Sequence, residues 1–380
     1  MSKEIISFIK EIYRGWRDVN LHAPIFVGNE IAYLTKCIET TMVSSVGQFV
    51  DQFERDLASF TGASGSVAVV NGTAALHTAL ILTGVKPGDE VLTQSLTFVA
   101  TANAISYTGA KPVFIDVSED RLSLCSVKLE AFLNKCKIDS EGNCRNPQTG
   151  NIIRACVPMH TFGHAADMDA IVRICHSKNI KVIEDAAESL GTRYNGVHTG
   201  LIGDIGVLSF NGNKIITSGG GGALISTDGD ILKKAKHLTT TAKKAHAWKY
   251  EHDVIGYNYR MPNINAALAC AQLECINDFL KDKRTIAEQY RAYFATIPDI
   301  KFFDEPLGSK SNFWLNSIIF SSERDQQRFL EESNASGVIT RPIWVPMHKL
   351  DMYSKCERTE MAVTDALSSR IVNIPSGVRS

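Results

Sequence analysis

No C-x-x-C pair occurs in this sequence, although nine cysteines are present: Cys37, Cys125, Cys136, Cys144, Cys156, Cys175, Cys270, Cys275 and Cys356. Their spacing excludes a zinc knuckle and a dithiol redox motif. The number is odd, and charges interrupt the stretch from Met1 to Glu11 too often for a secretory segment. Both features lead to the expectation of reduced, buried thiols in a cytoplasmic protein. No run approaches the roughly 18 apolar residues that a membrane span needs, so no membrane partner is expected. Neither sign of charge is in excess, since 40 basic residues stand against 41 acidic ones, a net charge of −1. That balance gives no field for nucleic acid, and a small anion would need local donors. A G-K-[ST] phosphate loop is missing, as are internal repeats and low-complexity segments.

What is present is an alternation of apolar runs with helical patterns over a chain of 380 residues, 44% of them apolar. That length allows two domains, and that composition a large core. Residues 4–17, 31–38 and 50–60 carry helical spacing. From residue 66 the rhythm becomes strand, turn, helix, with strands expected at 66–70, 90–93, 112–116, 153–159 and 180–184. Helices are expected between them at 74–82, 98–107, 127–136 and 168–176, and residues 138–152 read as a polar surface excursion. Strands alternating with helices imply right-handed crossovers and a mostly parallel sheet. The alternation stops near residue 240, a polar segment covers 239–253, and one long helix is expected over 264–294. The expected division is a large domain over residues 1–250, including the N-terminal helical segment, and a smaller α+β domain over 251–380.

In open parallel sheets, ligands sit beyond the carboxyl ends of the strands, and three polar stretches occupy such positions. Asn71-Gly72-Thr73 joins a strand to a helix, where free N–H groups and the helix dipole suit phosphate; an ordinary N-cap by Asn71 or Thr73 fits equally. Glu184-Asp185-Ala186-Ala187-Glu188 ends an apolar strand. A buried carboxylate there can hold a pyridine nitrogen protonated, whereas an acid at a helix start would face solvent. Ser209-Phe210-Asn211-Gly212-Asn213-Lys214 leads into Gly219-Gly220-Gly221-Gly222. A desolvated lysine in that place can form a Schiff base with a carbonyl; the alternative is a solvated loop lysine beside a flexible turn. Phe98, after another strand end, can cover a flat ring or simply fill core. His160 and His164 are four apart, but Gly163 argues for a loop, so no metal site is expected.

Taken together, Asn71-Gly72-Thr73-Ala74-Ala75-Leu76, Leu96-Thr97-Phe98-Val99-Ala100-Thr101, Glu184-Asp185-Ala186-Ala187, Ser209-Phe210 before Lys214, and Gly256-Tyr257-Asn258-Tyr259-Arg260 resemble the DegT/StrS-type sugar aminotransferases, pyridoxal 5'-phosphate (PLP) enzymes of fold type I. The resemblance covers almost the whole chain. It implies that Lys214 is the Schiff-base lysine and proton shuttle and that Asp185 faces the pyridine nitrogen. It implies that Gly72, Thr73 and Ser209 hold the phosphate, and that Phe98 covers the ring. Glu188 takes the place of a residue, usually glutamine, near the cofactor hydroxyl. Asn258 would reach the phosphate of the neighbouring subunit, which implies a homodimer with shared sites. The family motif Thr-x-Gly-Glu-Gly-Gly is here Thr217-Ser218-Gly219-Gly220-Gly221-Gly222. That form resembles the branch acting on UDP-linked 4-keto-6-deoxy-N-acetylhexosamines, in bacillosamine and legionaminic acid synthesis. The implied reaction takes an amino group from glutamate to a nucleotide-linked 4-keto sugar. A GDP-linked sugar, or a non-catalytic PLP-binding regulator on the same fold, are the alternatives.

Overall fold

The computed structural model describes residues 2–16 and 18–379. Seven strands make the path of its main sheet: β1 (Gly65–Val69), β2 (Glu90–Gln94), β3 (Lys111–Ile115), β4 (Ile152–Val157), β5 (Lys181–Asp185), β6 (Ile205–Ser209) and β7 (Gly222–Ser226). They lie in the order β1-β7-β6-β5-β4-β2-β3. Strands β2 to β6 pair in parallel, and β7 runs antiparallel to both β1 and β6. β1 therefore points the same way as β6, so the carboxyl ends of β1, β5 and β6 open on one edge of the sheet. These strands are apolar along their length because helices cover both faces. Val67, Val69, Val91, Ile183, Val207 and Leu224 pack on one side with the helix Gly72–Leu82, and Leu92, Val113, Ile115, Cys156 and Val182 on the other with Met168–His176. Each fully buried aliphatic side chain contributes about 1.5–3 kcal/mol. The mostly parallel sheet flanked by helices is the architecture that the alternation predicts.

The C-terminal part adds a second, antiparallel sheet, with Ile300–Phe303, Asn316–Phe320, Ile371–Ile374 and Arg341–Pro342 side by side. The N-terminal helix Ser2–Ile12 packs here: Ile5, Ile6 and Ile9 join Tyr290, Phe294, Phe320 and Phe329. This differs from the expected division, which placed that segment with residues 1–250. The predicted end of this helix, at residue 17, lies outside the described residues. The boundary at 250 is crossed in the other direction too. Ala266, Ala267, Ala269 and Cys270 share a core with Phe49, Val50, Phe53 and Leu57.

Three further differences have local causes. The helix expected over 264–294 is two helices, Asn263–Glu274 and Ile276–Phe294, which meet at Cys275. The first is alanine-rich and buried on most sides, whereas the second buries Ile286, Tyr290 and Phe294 in another core; one straight rod cannot satisfy both. The excursion at 138–152 contains a hairpin, Lys137–Ile138 with Cys144–Arg145, that extends the sheet beside β4. Asp139 closes its turn by accepting the N–H groups of Glu141 and Asn143. An unanticipated helix, Gly229–Thr239, starts where Asp228 accepts from the N–H groups of Asp230 and Ile231.

One glycine couples the sheet to the turn after β1. A Cβ at Gly222 would lie 2.5 Å from the carbonyl carbon of Asn71. Because the obstacle is backbone, it cannot swing aside. Gly222→Ala is therefore expected to destabilise the fold by about 1–3 kcal/mol, read as a lowered denaturant midpoint at unchanged slope, and to loosen the Asn71–Gly72 turn.

Candidate active site

A cavity of about 370 Å³ opens where β1, β5 and β6 end. Gly72, Thr73, Phe98, Asp185, Glu188, Ser209 and Lys214 all line it, so the structure brings seven of the eight expected site residues together. The eighth, Asn258, is exposed and lies outside this cavity, with its Oδ1 accepting from Arg260 Nε at 3.0 Å. Three lining residues were not anticipated by motif: Met159, Trp314 and Trp344. The two tryptophans come from the C-terminal part, and nothing in their local sequence places them beside β5 and β6. Their scarcity, four in the whole chain, was the only available hint.

At the end of β5 two adjacent acids face opposite sides, as strand geometry requires. Glu184 points away from the cavity and is fully buried. Its carboxylate accepts from the N–H groups of Gly200, Ile202 and Gly203 at 2.6–2.7 Å and pairs with His160 Nε2 at 2.9 Å. Burial alone would raise its pKa, but His160 and the N–H groups together hold it below the usual carboxylate range. The solvent-facing reading of Glu184 is thus corrected. His160 accepts from Ala166 N–H through Nδ1, and His164 meets Ser311, so the two imidazoles serve separate packing roles.

Asp185 faces the cavity. It accepts from Thr101 Oγ1 at 2.7 Å and from Ala187 N–H at 3.2 Å. With fewer donors than Glu184, it is dominated by burial, which pushes its carboxyl above the ordinary value. A buried carboxylate that is only partly satisfied is placed to accept a cationic N–H from a ligand.

Lys214 sits on the loop after β6. Phe210 N–H bonds Gly221 O, Ser218 N–H bonds Phe210 O, and Lys214 N–H bonds Asn211 O, so the loop is closed on itself. Trp314 Nε1 donates to Asn213 O at 2.7 Å and lays its ring beside the amine, whose Nζ stands 4.0 Å from the ring centroid. On another side Nζ lies 3.4 Å from Glu188 Oε1. Glu188 is buried, its Oε2 accepts from Phe162 N–H at 2.9 Å, and burial pushes its carboxyl up to about 7 against the pull of Lys214.

The residues fit the cofactor that the resemblance implies. Asn71 caps the helix Gly72–Leu82 by accepting Ala74 N–H, which leaves the earlier N–H groups of Gly72 and Thr73 without intrahelical partners. A Cβ at Gly72 would press on Ser209 Cβ at 3.1 Å, so glycine keeps the turn and the serine hydroxyl together as a phosphate cradle. Phe98, 49% exposed, stands at the mouth with its ring edge-on to Trp344 at 6.3 Å. Phosphate donors at one end, a carboxylate at another and an amine between two polarised walls match PLP's phosphate, ring nitrogen and aldehyde.

Comparison with known proteins agrees with this geometry. Residues 25–379 match the model of the DegT/DnrJ/EryC1/StrS aminotransferase family. The chain is 35% identical to EpsN of Bacillus subtilis (strain 168), provisionally named a pyridoxal phosphate-dependent aminotransferase, over 95% of this chain and 91% of that protein. It is 34% identical to the GDP-perosamine synthase of Escherichia coli O157:H7, over 94% and 93%. A solved DegT/DnrJ/EryC1/StrS aminotransferase from Brucella abortus superposes with a TM-score of 0.83 at 27% identity, covering 92% of this chain and 90% of that one. The protein belongs to the DegT/DnrJ/EryC1/StrS aminotransferase family and is a PLP-dependent enzyme of that class.

Proposed function

We propose that the chain moves an amino group from glutamate to the 4-keto group of a nucleotide-linked 4-keto-6-deoxy sugar. The observation that carries this reading is the single cavity shared by Lys214, Asp185 and the Gly72–Thr73 turn. When bound, PLP supplies an electron-poor ring that absorbs the charge left when a substrate carbon loses its proton. Asp185, oriented by Thr101 and Ala187, would keep the ring nitrogen protonated. Gly72, Thr73 and Ser209 would hold the phosphate. Lys214 Nζ would carry the proton between the substrate carbon and the cofactor carbon on the other side of the nitrogen that joins them, with Trp314 limiting where the amine can swing. Phe98 and Trp344 narrow the mouth.

The preference for a UDP-linked sugar is not upheld. Relatives named for a nucleotide sugar include GDP-perosamine synthases at 34% identity and, at 29%, an aminotransferase acting on a UDP-linked dehydro-N-acetylglucosamine, so a GDP-linked 4-keto sugar is as well supported as a UDP-linked one. A panel of both, incubated with glutamate and read by product mass, tests the reading. Gain of one amino group on neither series would refute it.

A second copy would complete the site. Asn258 is exposed on the same excursion as Trp248, Tyr250, Val254 and Ile255, which are 53–86% exposed in the isolated chain. An apolar surface of this kind marks an interface, and a two-fold axis through it would present Asn258 to the neighbour.

Lys214→Ala is expected to lower turnover by at least about 10²–10⁴-fold while the protein stays folded. Asp185→Asn should retain cofactor yet slow the single-turnover reaction with glutamate more than about tenfold, since one pKa unit at the ring is worth about 1.36 kcal/mol. Mixing inactive Lys214→Ala with inactive Asn258→Asp should restore up to half the activity per heterodimer, because one site then carries both lesions and the other none. No recovery in demonstrated heterodimers would show that Asn258 serves its own subunit.

A further inference from the structure

The carboxyl of Glu188 stands out among the buried groups that the reaction does not otherwise use. It is 3% exposed and touches Lys214 directly, at 3.4 Å. Three features fix it there. Phe162, whose N–H it accepts, is held at φ +57°, a left-handed conformation unfavourable for a non-glycine residue. The Phe162 ring is anchored against Trp344 at 5.1 Å. Asn312 donates to the main-chain carbonyls of Glu188 and Leu190, both at 2.9 Å, and accepts Trp314 N–H at 2.8 Å. One amide thus ties together the two walls that meet the Lys214 amine, the carboxylate and the indole. Backbone strain spent on aiming a single N–H at Glu188 Oε2 leaves Oε1 facing Nζ.

We propose that Glu188 and Lys214 share one proton, and that this pair, rather than Lys214 alone, sets the pH range in which the amine acts as a base. Moving the proton from Nζ to Oε1 leaves a neutral amine beside a neutral carboxyl, with no change in the net charge of the pair. Beside a carboxyl as buried as Glu188, such a transfer avoids leaving a lone charge in the interior. Burial raises the carboxyl to about 7, which places it in the range where an exchange partner for an amine is useful. The other charges facing the pair are Asp185 in the cavity floor and, behind Trp314, His22 and Lys283. Asp185 opposes ionisation of Glu188, His22 is held neutral by burial, and Lys283 donates to the carbonyls of Trp314 and Ser376, so none of the three replaces Glu188 as the partner of Lys214. The inference rests on the role given to Lys214, and its first test needs neither cofactor nor turnover.

That test follows the melting temperature of the unloaded protein against pH. A carboxyl whose folded pKa lies above its unfolded value stabilises the fold at low pH, and that stability is lost as pH rises through the folded pKa. Relative to Glu188→Gln, the wild type should lose stability between about pH 4.5 and 7. Lys214→Met should move the loss to higher pH, since the ammonium favours the ionised carboxyl. The second test titrates the visible absorption of the loaded enzyme. Removing the carboxylate should shift the pH midpoint down by about 1–3 units in Glu188→Gln, while Glu188→Asp stays near the wild type. Parallel melting curves for wild type and Glu188→Gln overturn the proposal. So does an absorption midpoint that Glu188→Gln leaves in place, which would mean that Glu188 holds its proton independently of Lys214. If the melting and absorption shifts appear but no keto sugar is aminated, the proton pair stands and the proposed substrate falls.

Discussion

Removing a carboxylate from water costs several kcal/mol unless hydrogen bonds replace the lost solvent, and β5 ends in two such groups. The organisation of the site follows from how differently they are treated. Glu184 receives three N–H groups and an imidazole, and its ionised form is secured. Asp185, one residue on and facing the other way, receives one hydroxyl and one N–H. The first acid fastens the loop Gly200–Gly203 beneath the sheet. The second is left with unspent accepting capacity in a cavity. Alternation along a strand thus turns neighbouring residues into an anchor and a ligand site.

The same edge shows why an antiparallel strand is useful in an otherwise parallel sheet. β7 separates β1 from β6 and begins at the edge where they end. Its first residue, Gly222, pairs with Val69 on one side and Ser209 on the other. The turn after β1 and Ser209 are therefore held by one strand, and the loop bearing Lys214 has its far end fixed at Gly221. A buried ion pair such as Lys214–Glu188 adds little to stability and is more often kept for what it does.

The strands were legible because each is a short apolar run ended by turn residues, and so were Lys214, Asp185, Gly72 and Ser209, which follow strand ends. Thr101, Phe162, Trp314 and Trp344 were not. Trp314 and Trp344 line the cavity, and Thr101 and Phe162 hold the acids Asp185 and Glu188, each through tertiary packing from an element whose local pattern says only helix, loop or coil. Thr101 lies in the first turn of the helix Val99–Tyr107, and the N-terminal helix shows the same limit at larger scale. Its apolar face was legible, but the surface that covers it, around Tyr290 and Phe320, is nearly three hundred residues away in sequence. The division of the long C-terminal helix was hidden for a related reason, since periodicity reports that a face is buried and not which core buries it.

The glycine run illustrates how structure changes the weight of a motif. Gly222 is required by the Asn71 backbone and Gly219 by its φ of +77°, whereas a Cβ at Gly221 would press on the side-chain ends of Met261, at 2.7 Å, and Ser218. Gly220 differs, since a Cβ there would meet nothing nearer than Val70 O at 3.9 Å. It is also the position where the family motif carries glutamate. The departure from that motif thus falls at the residue in this run where the fold tolerates a side chain. Its glycine is not demanded by the packing of the sheet. On the proposed function, discrimination between UDP and GDP would come from groups that reach beyond the cofactor, such as those at the mouth formed by Phe98 and Trp344.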